Sequence, residues 1–222
     1  MQKIRYEFFP AHLASAHSED TIAQNLFRGQ SYTLPLVRKF LKSGTIVDFG
    51  CGSGEMVFAL REAGFLSYGF DPSIDAVQYG KNRFHLGKHI THDIAALPRE
   101  VDAVLCSYVL QYVPHKEKIL DVLVSYIKPG GFLFIEKSNK YGCIRIYEWI
   151  RGAQRPRYEF YDIPQNSHLR FLGVFPNFPA YMRFSDKGLK KMCKKLFSFF
   201  ERICYACKIY IAGTFFYVYQ KQ

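Results

Sequence analysis

The stretch Val47-Asp48-Phe49-Gly50-Cys51-Gly52-Ser53-Gly54 joins an apolar, β-rich run to a glycine-rich turn, and a helical pattern starts directly after it. Glycines at alternate positions of the turn allow a ligand to approach the backbone closely. The spacing GxGxG differs from the GxGxxG of dinucleotide sites, and the Gly-Lys-Ser/Thr of a P-loop is missing. Asp48, just before the turn, disfavours a bound pyrophosphate. The stretch therefore predicts a site for a cationic or amino-bearing ligand.

Residues 45–136 alternate between short β-rich runs and helical patterns. The predicted strands are Thr45–Phe49, Ser67–Phe70, His89–His92, Val101–Cys106 and Phe132–Ile135. The predicted helices are Glu55–Ala63, Ser73–Phe84 and Lys116–Ile127. This alternation is typical of an α/β fold with a doubly wound, mostly parallel sheet.

The flanking segments complete a single predicted domain over residues 1–222. Residues 1–44 form a helical lead-in, and the arginine-rich, aromatic residues 138–182 are interpreted as a substrate cap inserted over the sheet. Residues 183–222 hold a last helix and two strand-like runs, Arg202–Ile211 and Thr214–Tyr219. These two runs predict an antiparallel hairpin at the sheet edge.

The charge of the chain is unevenly distributed. Residues 1–136 contain 14 basic and 14 acidic side chains, whereas residues 137–222 contain 16 and 5, which places the net charge of +11 in the second part. A strongly basic half suggests an anionic partner, such as a phosphorylated substrate, nucleic acid or an acidic membrane surface.

Neither a signal peptide nor a membrane span is recognisable, so a cytoplasmic protein is expected. The six cysteines follow no disulfide framework and are expected to be free thiols. Cys204 and Cys207 form a single CxxC, which is too few ligands for a closed zinc site. No metal is therefore expected.

Several motifs together resemble the class I S-adenosylmethionine-dependent methyltransferases, over roughly residues 45–136. The glycine-rich turn resembles motif I of that family, and Gly69-Phe70-Asp71-Pro72-Ser73 resembles the segment that carries its ribose-binding acid. His92-Asp93-Ile94 is similar to the loop that meets the adenine. The segments 107–113 and 128–131 look like the fourth-strand exit and fifth-strand entry of the small-molecule branch, which includes ubiquinone-type and sugar O-methyltransferases.

The resemblance implies a seven-stranded sheet and S-adenosyl-L-methionine as the cofactor. Asp71 would bind the two ribose hydroxyls, as in the geometry known for dinucleotides. Asp93 would meet the adenine amino group while Ile94 lies on the ring. The cofactor-binding residues that it implies are Asp48, Gly50, Cys51, Gly52, Gly54, Asp71, Pro72, Asp93, Ile94 and Ser107.

The chemistry implied is displacement of a sulfonium methyl group by an acceptor on a small or lipid-like molecule, at oxygen more than at nitrogen. A hydroxyl acceptor needs a base, and the candidates are His168 and Glu136. The candidate substrate contacts are Tyr108, Gln111, Tyr141 and Arg170. The arginine-rich cap favours an anionic acceptor.

Two other functions stay open at this point. The basic half suggests methylation of RNA or DNA, although the segment after the fourth strand lacks the Asp/Asn-Pro-Pro-Tyr/Phe pattern that holds a flipped base. The second is a non-catalytic, cofactor-binding interaction module, with a lysine-faced helix that would contact an anionic membrane or partner. The oligomeric state is not addressed by any motif.

Overall fold

The computed structural model describes residues 19–113, 115–138, 162–178 and 214–222. Its helices are α1 (Glu19–Arg28), α2 (Leu34–Phe40), α3 (Glu55–Glu62), α4 (Ile74–Arg83) and α5 (Lys116–Tyr126). A π-helix (Gly29–Thr33) joins α1 to α2, and 3-10 turns cover Gly87–His89, Ile94–Ala96 and Leu110–Tyr112. The strands are β1 (Thr45–Phe49), β2 (Leu66–Phe70), β3 (Ile90–Thr91), β4 (Val101–Ser107), β5 (Ile127–Ser138), β6 (Leu169–Phe178) and β7 (Thr214–Lys221).

The seven strands form one sheet in the order β3-β2-β1-β4-β5-β7-β6. Strands β1 to β5 are parallel to one another, and β7 is antiparallel to both β5 and β6. The chain winds outward in opposite directions from β1 and β4, so the carboxyl ends of these two strands flank a switch point. Ligands of open α/β sheets bind at such a point, and the predicted doubly wound fold is confirmed.

Apolar side chains cover both faces of the sheet. On one face, α5 packs Ile119, Leu120 and Leu123 against the strand residues. On the other face, Leu60 of α3 and Val37 of α2 pack against Phe134. These side chains are at most 1% exposed, and their burial supplies the main free energy that fixes the carboxyl edge of the sheet.

The edge of the sheet differs from the sequence prediction. An antiparallel pair closes the chain as expected, but β7 pairs with Leu169–Phe178 and not with the predicted Arg202–Ile211. Both edges of β7 are occupied, by β5 and β6. Residues 169–178, which belong to the predicted cap, therefore form an edge strand. The predicted strand Arg202–Ile211 lies outside the described residues, and so do residues 139–161 and 179–182 of the cap. Alternation is a weak signal in an aromatic-rich segment, which is why this strand escaped the sequence analysis.

No helix among the described residues is long and apolar enough to cross a membrane.

Candidate active site

The glycine-rich turn follows β1 and is held by β2. The amide groups of Gly50 and Cys51 donate hydrogen bonds of 2.7 and 3.0 Å to the carbonyl oxygen of Phe70. Gly50 has a φ of +80°, and a Cβ at this position would overlap Val109. Gly52 has a φ of +54° and would carry a Cβ into open space. The turn thus presents bare backbone at the carboxyl end of β1, with room for a ligand above Gly52.

Asp71 connects this turn to the start of α4. Its Oδ2 accepts a 2.9 Å hydrogen bond from the Gly52 amide, and its Oδ1 accepts one of 2.9 Å from the Ser73 amide. Burial raises the pKa of Asp71, against the lowering effect of these two amides. The Ser73 hydroxyl in turn caps α4 by accepting from Ala76. Asp71 therefore shapes the turn, and each of its oxygens keeps a second lone-pair direction for a further donor.

A cleft of about 270 Å³ lies above the turn. The turn and the ends of β1 and β4 form its floor, and α1 with the π-helix forms its roof. Its lining residues are Thr21, Asn25, Arg28, Gly29, Thr33, Asp48, Gly50, Cys51, Gly52, Ser53, Glu55, Met56 and Ser107. A π-helix is rare and is often found at functional sites. Five of the predicted cofactor residues, Asp48, Gly50, Cys51, Gly52 and Ser107, thus meet in one cleft.

The charges in the cleft are of both signs. Asp48 and Glu55 are 4% and 5% exposed, and Arg28 stands between these carboxylates and the end of β5. Burial, which outweighs the opposing effect of Arg28, raises the pKa of Asp48 to about 7. Burial lowers the pKa of Arg28, but the acidic groups around it, Glu136 foremost, make the net change a rise. A zwitterion with separate ammonium and carboxylate groups matches this arrangement.

The remaining predicted cofactor residues lie beside the cleft lining. Gly54 has a φ of +82° and precedes α3, and Pro72 follows Asp71 at the end of β2. Asp93 is exposed, and its side chain caps a 3-10 turn by accepting 2.9 Å from the amide of Ala95. Ile94 is half-buried, and its carbonyl oxygen accepts a bond of 2.7 Å from the Tyr126 hydroxyl. All four are at the carboxyl ends of the strands, as a nucleotide-like ligand that crosses β1, β2 and β3 requires.

Tyr108, Gln111 and Glu136 lie on the same edge, next to the cleft. Tyr108 follows β4 directly, and the Arg28 guanidinium carbon is 5.2 Å from the centroid of its ring. Gln111 is half-buried in the 3-10 turn Leu110–Tyr112. Glu136, near the end of β5, is 1% exposed, and its Oε1 accepts a 3.1 Å hydrogen bond from the hydroxyl of Thr214. Tyr141 lies outside the described residues.

His168 and Arg170 lie at the amino ends of the parallel strands, away from the cleft, which disfavours their predicted roles in catalysis and substrate binding. β6 runs in the same direction as β5, and its first residues therefore lie at the amino ends of the parallel strands. The carbonyl oxygen of His168 accepts from the amide of Gln222, and Arg170 bonds the side chain of Gln220 at 2.6 Å. The partner of His168 is Gln222, directly after β7, and the partner of Glu136 is Phe216 of β7. These two positions are six strand residues apart, which is roughly 20 Å along the sheet. The direction of an edge strand cannot be derived from a local motif.

Three residues of this region escaped the sequence analysis. Arg28 and Asn25 belong to α1, and Thr214 begins β7. None of them stands in a recognisable motif, because each reaches the site through long-range packing. The amphipathic pattern of Glu19–Arg28 is the sequence signal available for the first two.

Comparison with known proteins agrees with this geometry. Residues 19–190 match a family described as methyltransferase domain, and the chain belongs to that family. S-adenosylmethionine is the cofactor expected for its class, the class I methyltransferases. The turn over Gly50–Ser53, with open space above Gly52 and acidic and basic groups facing it, fits such a ligand.

The chain is also similar to curated proteins named ubiquinone biosynthesis O-methyltransferase. It is 29% identical to that of Coxiella burnetii over 135 residues, which are 58% of this chain and 56% of the relative. It is 29% identical to the mitochondrial enzyme of Mus musculus over 145 residues, 60% of this chain and 39% of the relative. The matched region thus spans about half the length, or less, of these relatives.

Solved structures show the same fold. A methyltransferase from Archaeoglobus fulgidus described as SAM-dependent has a TM-score of 0.55 at 17% identity and covers 96% of this chain and 100% of its own. A Haloferax volcanii complex between the Trm112 methyltransferase activator and a putative methyltransferase gives a TM-score of 0.60 at 19% identity, with 99% of each chain covered. At sequence identities this low, the similarity to these structures shows a shared fold and nothing about the substrate.

Proposed function

We propose that this protein transfers a methyl group from S-adenosylmethionine to an oxygen atom of a small or lipid-like acceptor. The observation that carries the proposal is the cleft above Gly50–Ser53, where bare backbone meets acidic and basic side chains. When bound, the cofactor supplies a methyl group on a positively charged sulfur. The protein contributes alignment of donor and acceptor, which is the main requirement of a one-step displacement.

The charges assign an orientation to the amino-acid end of the cofactor. Asp48 and Glu55 would accept hydrogen bonds from its ammonium group, and Arg28 would donate to its carboxylate. Both acids are almost fully buried, where a charge-assisted hydrogen bond is stronger than in water. The amide of Asn25 keeps Glu55 in place through a 3.3 Å hydrogen bond. Asp71 and Asp93, at the ends of β2 and β3, would hold the ribose and the adenine.

Oxygen as the methylated atom is supported by the similarity to curated proteins that are named O-methyltransferases. An anionic acceptor is supported by the excess of 16 basic over 5 acidic residues in the range 137–222. The acceptor side of the site is the region of Tyr108 and Gln111, which lies beyond Ser107 on the same sheet edge. Phosphorylated sugars, phenols and quinone precursors are the acceptor classes to test first.

The first experiment is calorimetric titration of the purified protein with S-adenosylmethionine and S-adenosylhomocysteine. Wild type should bind both, and Asp71→Ala should bind at least about tenfold more weakly, since it loses the carboxylate that shapes the turn. Asp75→Ala is the matched control, because this exposed acid on the same helix start is outside the cleft. Equal affinity in wild type and Asp71→Ala would contradict the cofactor site.

The second experiment offers the acceptor classes and measures formation of S-adenosylhomocysteine. Turnover with one of them and none with RNA or DNA supports the proposed function. Methylation of nucleic acid alone would replace the acceptor class by nucleic acid. Cofactor binding without transfer to any acceptor would favour an interaction module.

A further inference from the structure

A row of polar side chains leads from the cofactor cleft into the interior at the carboxyl edge of the sheet. Arg28 of α1 lies against the ring of Tyr108, with 5.2 Å between guanidinium carbon and ring centroid. The Tyr108 side chain lies against Glu136 and Thr214, and the Thr214 hydroxyl donates a 3.1 Å hydrogen bond to Oε1 of Glu136. The row therefore ties α1, β4, β5 and β7 together.

The backbone of Tyr108 is held in an unusual conformation. Its φ of +60° lies in the left-handed region, which costs a bulky L-residue free energy unless the surroundings enforce it. The Tyr108 amide donates a 3.0 Å hydrogen bond to the carbonyl oxygen of Glu136. The main chain of Tyr108 is thus anchored to Glu136, and the ring lies between Arg28 and the end of β5.

Glu136 is badly placed for the role of a base. Glu136 is 1% exposed, its Oε1 accepts a hydrogen bond from the Thr214 hydroxyl, and the Tyr108 side chain lies against it. A general base has to lie within hydrogen-bond reach of the proton that it accepts, directly or through one water. Arg28 supplies the opposing charge that a buried carboxylate needs. These contacts are consistent with a structural role for Glu136 that requires no proton transfer.

We propose that Tyr108 positions the methyl acceptor, that Glu136 and Thr214 hold its hydroxyl from the interior, and that Arg28 holds its ring from the cofactor side. Glu136 is then a positioning residue, and the sequence-based hypothesis of a base is replaced. The inference rests on the proposed methyl transfer. It places Tyr108 next to Ser107 of the cofactor cleft, where one face of an acceptor would meet the ring.

The kinetic test compares Glu136→Gln, Tyr108→Phe and Tyr68→Phe with the acceptor that wild type uses. A glutamine can still accept from Thr214, so Glu136→Gln should raise the acceptor KM about fivefold and lower kcat less than tenfold, with the shape of the pH profile kept. Tyr108→Phe should raise the acceptor KM similarly. Tyr68→Phe removes a hydroxyl outside the site and should match wild type.

Loss of kcat by more than about a hundredfold in Glu136→Gln, together with loss of the acidic limb of the pH profile, would overturn the proposal and make Glu136 the base. An acceptor KM for Tyr108→Phe equal to that of wild type would also overturn it. In calorimetry with S-adenosylhomocysteine, the affinity of each variant should be within about threefold of that of wild type. Such a result would show that the substitution leaves the cofactor site intact.

A second test needs no acceptor. Thermal unfolding of Tyr108→Phe, Thr214→Val and the double variant forms a cycle, and the two decreases in Tm should be clearly non-additive because both side chains contact Glu136. Additive decreases would overturn the anchor whatever the substrate. Absence of wild-type turnover with a non-additive cycle would instead count against the proposed function and leave the anchor standing.

Discussion

The side-chain amide of Asn25 donates a 3.3 Å hydrogen bond to Oε1 of Glu55, and it thereby joins α1 to the first residue of the helix that follows the glycine-rich turn. Both residues line the cleft. The N-terminal helix is therefore part of the cofactor site, although the motif that predicted the site begins at β1.

Replacement of Asn25 should loosen the roof of the cleft. Asn25→Ala leaves the buried Glu55 carboxylate with one donor fewer, and we expect cofactor affinity to fall about five- to tenfold. Gln24→Ala is the matched control, since Gln24 is an exposed neighbour on the same helix. Calorimetry on both variants measures the difference, and equal affinities would show that the roof does not contribute to binding.

Alanine variants of two glycines with positive φ distinguish the effect of backbone strain from the effect of lost ligand contact. Gly52 (φ +54°) and Gly64 (φ +91°) both leave open space for a Cβ, but only Gly52 lines the cleft. Gly52→Ala and Gly64→Ala should each lose about 1 kcal/mol or more of stability. Cofactor affinity should fall in Gly52→Ala alone. If calorimetry finds the same loss in Gly64→Ala, strain and not contact is responsible.

Cofactor binding should depend on the protonation of Asp48. Burial foremost raises the pKa of Asp48 to about 7, with Arg28 opposing and Glu55, Asp71 and Glu136 adding to the rise. The ionised form binds an ammonium group, so affinity should increase as pH rises from about 5.5 to 7.5. Asp48→Asn should bind more weakly with a flatter profile over that window. A wild-type affinity that is constant with pH would contradict this assignment.

The raised pKa of Asp48 also affects the stability of the folded protein, which should fall as pH rises, whereas cofactor affinity should increase. Because the carboxyl keeps its proton longer in the folded protein than in the unfolded chain, Asp48 lowers the free energy of unfolding as pH rises from about 4 to 7. Asp48→Asn should therefore have a higher Tm than wild type at pH 8, measured without cofactor. A lower Tm at that pH would indicate that Arg28 stabilises the ionised carboxylate more than burial destabilises it.

Removal of the imidazole at position 168 should leave catalysis intact. His168 is exposed and lies at the amino ends of the parallel strands, away from the cleft. We expect His168→Ala to keep kcat and acceptor KM within about twofold of wild type. A kcat below about a tenth of wild type, with an unchanged Tm, would restore the catalytic role that the sequence analysis gave it.

The glycine-rich turn and the alternation of strands and helices could be predicted because their signals are local. Val47 to Gly54 specify strand and turn within eight residues, and Asp71 follows at the end of the next strand. The position of His168 in the fold could not be predicted, for the opposite reason. Its place depends on the direction of β6, which is set by pairing with a strand some 50 residues later in the chain, as the Arg170–Gln220 contact shows.

The sequence by itself determined the fold class, the family and the floor of the cofactor cleft, since periodicity and short motifs act between near neighbours. Only the tertiary structure decided the roof and the acceptor side. Thr214 reaches Glu136 across 78 residues of chain, and Arg28 reaches both Tyr108 and the buried acids from a helix that precedes the sheet. Such contacts arise when the apolar faces of distant elements pack together, and that packing sets which polar side chains meet at the edge of the sheet.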